Sequence, residues 1–235
     1  MPDAQSDRYS LKLGTTSSLN LPRLGLGSAS HGEALTGKET SLLKALNLSH
    51  LRVDLNLSQP DYIATLRQAS AEAEVLGVAL EAALILTDET GKELISFREQ
   101  LELIKPNIAT WLIFNTDEKV TSDKWIHLAR PILAGYEAGA RIGGGTNIYF
   151  TELNRQRPQI ESLDVVNFSI NPQVHAFDDA SLVETLEALP SVIESARQFV
   201  GQLPISVSPV TLKPRFNPDA KTPEAVQPGI AAAGG

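Results

Sequence analysis

Seven short apolar runs alternate with amphipathic helical patterns along almost the whole chain, and polar side chains gather just past the end of each run. Together these observations predict an α/β fold of the (β/α)8 TIM-barrel type, a parallel sheet with its helices outside. The runs are 23–27, 50–55, 78–86, 108–114, 140–145, 164–170 and 204–210. Most are rich in Val, Ile and Leu at both alternating positions, as strands covered on both faces require. Their starts recur about every 30 residues, the length of one strand plus its crossover helix.

The intervening helices follow from spacing. Tyr62, Leu66, Ala69, Ala73 and Leu76 line one face of a 3.6-residue helix. Leu94, Phe97, Leu101 and Ile104 repeat the pattern, and Pro106 ends it. Trp125, Leu128, Ile132 and Tyr136 form a third stripe, with Ser122 or Asp123 as its cap. Between 181 and 200 the apolar positions are Leu182, Leu186, Leu189, Ile193, Ala196 and Phe199, and Pro190 should kink or restart that helix. A doubly wound sheet is the competing architecture. It wants a glycine-rich phosphate turn after the first strand, and Gly25-Leu26-Gly27-Ser28 has no third glycine in register.

Barrels of this class take about 250 residues, and no eighth strand is legible after Val210. The expectation is an incomplete barrel of seven β/α units without its closing unit. Residues 1–21 read as an N-terminal extension, 22–218 as the barrel and 219–235 as a flexible tail.

Composition narrows the function. The chain has 235 residues, 28 acidic and 20 basic, for a net charge of −8, and 42% of it is hydrophobic. That balance predicts a soluble, cytoplasmic protein that binds neither nucleic acid nor membrane. Without cysteine there is no thiolate, Fe–S or Cys-based zinc chemistry. The histidines are scattered, with no H-x-H pair and no H-E-x-x-H helix, so neither a metal nor a cofactor is expected. No G-x-S-x-G elbow is present either.

The residues past the runs are mostly amides, hydroxyls and carboxylates, a set that suits a polyhydroxylated small molecule. Glu152 follows the run Gly143-Gly144-Gly145, whose glycines would allow close backbone approach to a ligand or an unusual turn. It reads either as a general acid or base or as a structural acceptor for Arg155 or Arg157. His175 is a candidate acid, base or oxyanion donor, and His31 is the comparable residue past the first run. His50 and His127 read as structural. Arg52 and Asp54 share one side of their strand, either as an inward ion pair lining the pocket or as a buried structural pair of the barrel, and Arg52 reads as structural. Lys213 and Arg215 could hold a carboxylate or an enolate-like oxygen.

Four stretches carry a family resemblance: RIGGGTNIYFTELNRQRP at 141–158, FSINPQVHAFDDASLVETLEA at 168–188, SPVTLKPRFNP at 208–218, and the opening 24–55. They resemble the barrel portion of the D-apionate lactonases, over roughly 22–218. The resemblance implies a glycosidase-like TIM barrel that hydrolyses D-apionolactone to D-apionate in apiose catabolism, with a sugar-acid lactone as its small-molecule partner. Glu152, Asn154, Asn171, His175, Lys213 and Arg215 lie inside the matching motifs. As a mechanism, Glu152 would activate water and His175 would donate to the oxyanion or the leaving oxygen. Asn147, Asn154, Asn171 and Lys213 would hold the hydroxyls and carbonyl, with His31, Asp54 and Arg215 completing the binding set. The rival readings are a TIM-barrel glycoside hydrolase and a non-catalytic barrel that binds sugar acids. Open barrel edges would favour self-association.

Overall fold

The computed structural model describes residues 14, 21–29, 32–137, 139–172, 178–212 and 215. Seven strands form one sheet, paired in sequence order and all parallel. They are β1 (Gly25–Gly27), β2 (His50–Asn56), β3 (Ala79–Leu86), β4 (Ile108–Asn115), β5 (Arg141–Tyr149), β6 (Val165–Ile170) and β7 (Ile205–Val210). Each overlaps a predicted run, and β5 extends four residues beyond its run. Helices α1 (Gly37–Ala45), α2 (Tyr62–Leu76), α3 (Thr90–Ile104), α4 (Asp123–Leu133), α5 (Phe150–Arg155), α6 (Asp179–Leu186) and α7 (Leu189–Val200) occupy the crossovers.

The sheet curls into a nearly closed barrel. The guanidinium of Arg52 on β2 donates to the backbone carbonyl of Ser208 on β7 at 2.7 Å and to its hydroxyl at 3.0 Å. An arginine spans only a few ångströms, so β2 faces β7 directly across the lumen.

Strand alternation creates two cores. Outward residues such as Leu51, Val53, Leu55, Leu80, Leu84 and Trp111 pack against the helices in the main apolar cluster. Inward residues form a smaller one, Ala83, Leu112, Phe114 and Val165. Much of the remaining lumen wall is polar, with Arg52, Glu81, Asn167 and Ser208 all buried. Leu66 of α2 and Phe97 of α3 are fully buried, and each contributes about 1.5–3 kcal/mol by leaving water. Phe97 and Tyr136 each meet Trp111 edge-on, with ring centroids 5.9 and 6.1 Å away.

Local signals explain the helix ends. Thr36 and Glu39 form a reciprocal capping box at the start of α1, a helix the apolar spacing does not predict because it buries no residue. Gly77 closes α2 at φ 73°. Pro190 restarts the chain as α7 just after α6 ends, as expected. In α4 the buried stripe is Trp125, Ile126, Ala129 and Leu133, and Leu128 is 47% exposed. The predicted stripe was therefore rotated, because alanine at 129 carries the contact that spacing assigned to leucine. Ser122 does occupy the cap position of α4, yet it makes no cap bond and its hydroxyl donates to Glu118 at 3.0 Å instead.

Candidate active site

Strand β5 positions the site through an irregularity. Gly145↔Asn167 and Tyr149↔Ser169 are successive pairs with β6, so four residues of β5 advance against two of β6. Such a bulge re-aims side chains near a barrel mouth. Gly145 starts it at φ 124°, and a Cβ there would lie 2.2 Å from the Asn167 carbonyl oxygen. Gly143 is constrained in the same way, by Val165 at 2.5 Å, and Gly144 less severely, by Ile126 at 3.2 Å. The glycine run thus serves close strand and helix packing, and at Gly145 the unusual backbone conformation that was one of the two expectations for it. Asn147, expected in a loop, lies on β5 and is carried by the bulge into the mouth.

There it completes a ring of four side chains. Arg52 Nη2 donates to Asp54 Oδ1 at 2.8 Å and to Asn147 Oδ1 at 2.9 Å. Arg215, from beyond β7, donates to Asn147 Oδ1 and to Asp54 Oδ2, each at 2.9 Å. Burial pushes the Asp54 carboxyl up, but the charges of Arg52 and Arg215 outweigh it, and the group sits below its ordinary range. Burial draws the Arg215 guanidinium down, against the pull of Asp54.

Beneath the ring, Glu81 lies 3.6 Å from Arg52 and accepts from Ser206 at 3.0 Å and from the Ser208 hydroxyl. Asn167 Nδ2 donates to the Thr146 carbonyl at 3.0 Å and the Ser208 carbonyl at 3.1 Å. Arg52 is 3% exposed, so both carboxylates compensate a cation held away from water. Sequence reasoning did not single out Glu81, Asn167 or Ser206. The available signal was a lone charge at 81 in the apolar run of β3, on the same strand face as Arg52.

A pocket opens beside the ring, lined by Asn147, Ile148, Tyr149, Ser169, Thr211 and Arg215. It sits at the C-terminal ends of β5 and β6, the end at which barrels of this class do chemistry. Ser169 donates to the Ile148 carbonyl at 2.8 Å, and Asn171 Nδ2 donates to Thr211 Oγ1 at 3.3 Å. Burial raises the Tyr149 phenol above its ordinary range, with Arg215 acting against that shift.

Of the residues singled out from the sequence, Asp54, Asn147 and Arg215 meet in the ring, and Asn171 adjoins the pocket beside it through Thr211. Glu152 stands on α5, half-buried and paired with Arg155 at 2.9 Å. Asn154 is exposed on the same short helix. His31, His175 and Lys213 lie outside the described residues. His50 fits its structural assignment. Its ring fills the space a Cβ at Gly25 would need, and its Nδ1 is 2.8 Å from Ser49 Oγ. His127 pairs on the helix surface with Asp123 at 3.1 Å.

Comparison with known proteins decides the family. The profile of the D-apionate lactonase TIM barrel domain matches residues 24–233. The chain belongs to that family. A D-apionate lactonase from Brucella anthropi is 48% identical over 79 residues, 34% of this chain and 13% of that protein. The chain therefore matches only a small part of this D-apionate lactonase's length. Among solved structures, a β-glucuronidase of Ruminococcus gnavus superposes with a TM-score of 0.52 at 11% identity. The superposition covers 81% of this chain and 37% of the glucuronidase, and at that identity it shows the shared barrel fold alone. A second structure of a β-glucuronidase from Ruminococcus gnavus, in complex with D-glucaro 1,5-lactone, gives 0.49 at 12% identity over 80% of this chain and 35% of its own. Among the described residues no helix is long and apolar enough to cross a membrane.

Proposed function

We propose that this chain carries the sugar-acid lactone site of a D-apionate lactonase and opens D-apionolactone to D-apionate. The observation that carries this reading is the Arg52–Asp54–Arg215–Asn147 ring at the mouth of a barrel of that family. Two guanidiniums held by a carboxylate and an amide suit a carbonyl oxygen that gains negative charge as water adds.

In this reading water adds to the lactone carbonyl, the tetrahedral oxyanion is stabilised by the cationic mouth, and the ring C–O bond breaks with a proton passing to the ring oxygen. Glu152 is the proposed general base. Its support is its place on the first turn of α5, directly after the pocket residue Tyr149. His175, a few positions past the end of β6, is the proposed oxyanion donor or leaving-group acid. Apiose catabolism is the metabolic setting that follows from this substrate.

Acid release from D-apionolactone by the 235-residue chain, followed by base uptake at constant pH, tests the proposal. Catalysed release is expected, with no aryl alcohol liberated from aryl glycosides. Aryl glycoside cleavage without lactone opening would overturn it in favour of a glycoside hydrolase.

A further inference from the structure

The end of β5 presents hydrogen-bond donors that the arginine ring leaves unused. Asn147 Oδ1 accepts from both Arg52 and Arg215, which fixes the amide orientation and turns Nδ2 away from the two cations. That Nδ2 donates to no side chain or carbonyl among the described residues. The Tyr149 hydroxyl, on the same pocket wall, likewise has no hydrogen-bond partner among them. Burial keeps the phenol protonated, so it stands as a donor throughout the working pH range.

The neighbouring groups only partly offset this bias. Both Asp54 oxygens already accept from arginines, and the Ser169 hydroxyl, which donates to the Ile148 carbonyl, adds one neutral acceptor oxygen. A phenol O–H and an amide N–H beside a guanidinium recognise an acceptor oxygen, above all a charged one. A neutral polyol, whose hydroxyls also need acceptors, gains little there.

We propose that Tyr149, with Asn147 Nδ2 and Arg215, forms the receptor for the carboxylate of the sugar acid and for the carbonyl oxygen of its lactone. Tyr149 thereby sets the preference for acid and lactone over the neutral sugar alcohol. This rests on the lactonase reading for the identity of the ligand, while the donor geometry stands independently of turnover.

Calorimetric titration of the full chain and of Tyr149→Phe, with D-apionate and with the corresponding neutral alditol, tests the assignment. Wild type should prefer the acid at least tenfold. Tyr149→Phe should bind the acid about ten- to a hundred-fold more weakly, the scale of one lost hydrogen bond to a charged group. Alditol binding and the melting temperature should be unchanged. Equal acid affinity in both proteins, or a parallel loss for acid and alditol, would overturn the receptor. Acid binding without any lactone opening would sink the lactonase reading and leave the receptor standing. Normal lactone opening with a Tyr149→Phe variant of unaltered acid affinity would do the reverse.

Discussion

Arg215 and Asp54 are 161 positions apart in the chain, and their side chains meet at 2.9 Å. This contact ties the segment after β7 to the end of β2. Arg52 and Asn147 close the ring from the other side, so removing Asp54 leaves two guanidiniums facing each other with one amide oxygen between them.

Asp54→Asn should therefore cost stability. Hydrogen bonds to charged groups are worth about 1.5–3 kcal/mol. Asp54 is 36% exposed, so screening reduces the expected loss to about 1–2 kcal/mol. Thermal melts should show a midpoint lower by roughly 2–8 °C for a chain of this size.

The same pair predicts an acid limb. Asp54 titrates below its ordinary range when folded, so the unfolded chain takes up its proton first as pH falls. Its stabilising contribution is complete above the ordinary aspartate value, about 4, and is lost as pH drops through the lower folded value. Midpoints measured from neutral pH downward should show wild type converging on Asp54→Asn across that window. A constant gap between them would contradict the assignment.

The glycine run gives a steric prediction. Gly143→Ala places a methyl 2.5 Å from Val165 Cγ1 and 2.8 Å from its carbonyl, which should cost about 1–3 kcal/mol through overpacking. Gly91→Ala, in the first turn of α3 with open space around it, should be neutral or gain up to about 1 kcal/mol. Urea unfolding of the two variants side by side checks the contrast.

If Glu152 activates water, Glu152→Gln should lower lactone turnover by about 10²–10⁴-fold. The melting temperature should hardly move, because the partner it would lose is Arg155, which is 70% exposed. Unchanged turnover would return Glu152 to a purely structural partner of Arg155.

The framework was legible in the sequence because each strand is a short apolar run between helical stripes. That pattern needs no knowledge of distant partners. Parity also placed Arg52 and Asp54 on one strand face, and the ion pair between them is as expected at 2.8 Å. The bulge was not legible, since GGGTNIY reads equally as a turn, and only the approach of Gly145 to Asn167 distinguishes them. Nor was the partner of Arg52 across the lumen. Ser208 lies 156 positions away, and its carbonyl acceptor belongs to the backbone, which carries no residue signal. Tyr149 carried no signal because the apolar run ends at 145, and only the bulge keeps residue 149 on β5 at the pocket wall.

The most direct measurement is the thermal melt of the 235-residue chain and of Arg215→Ala, each with and without D-apionate in excess. A ligand at about 100 times its Kd adds roughly 2.7 kcal/mol to the folded state. The ring at the barrel mouth predicts an upward shift in wild type that Arg215→Ala largely loses. An equal shift in both proteins, or none in wild type, would contradict it.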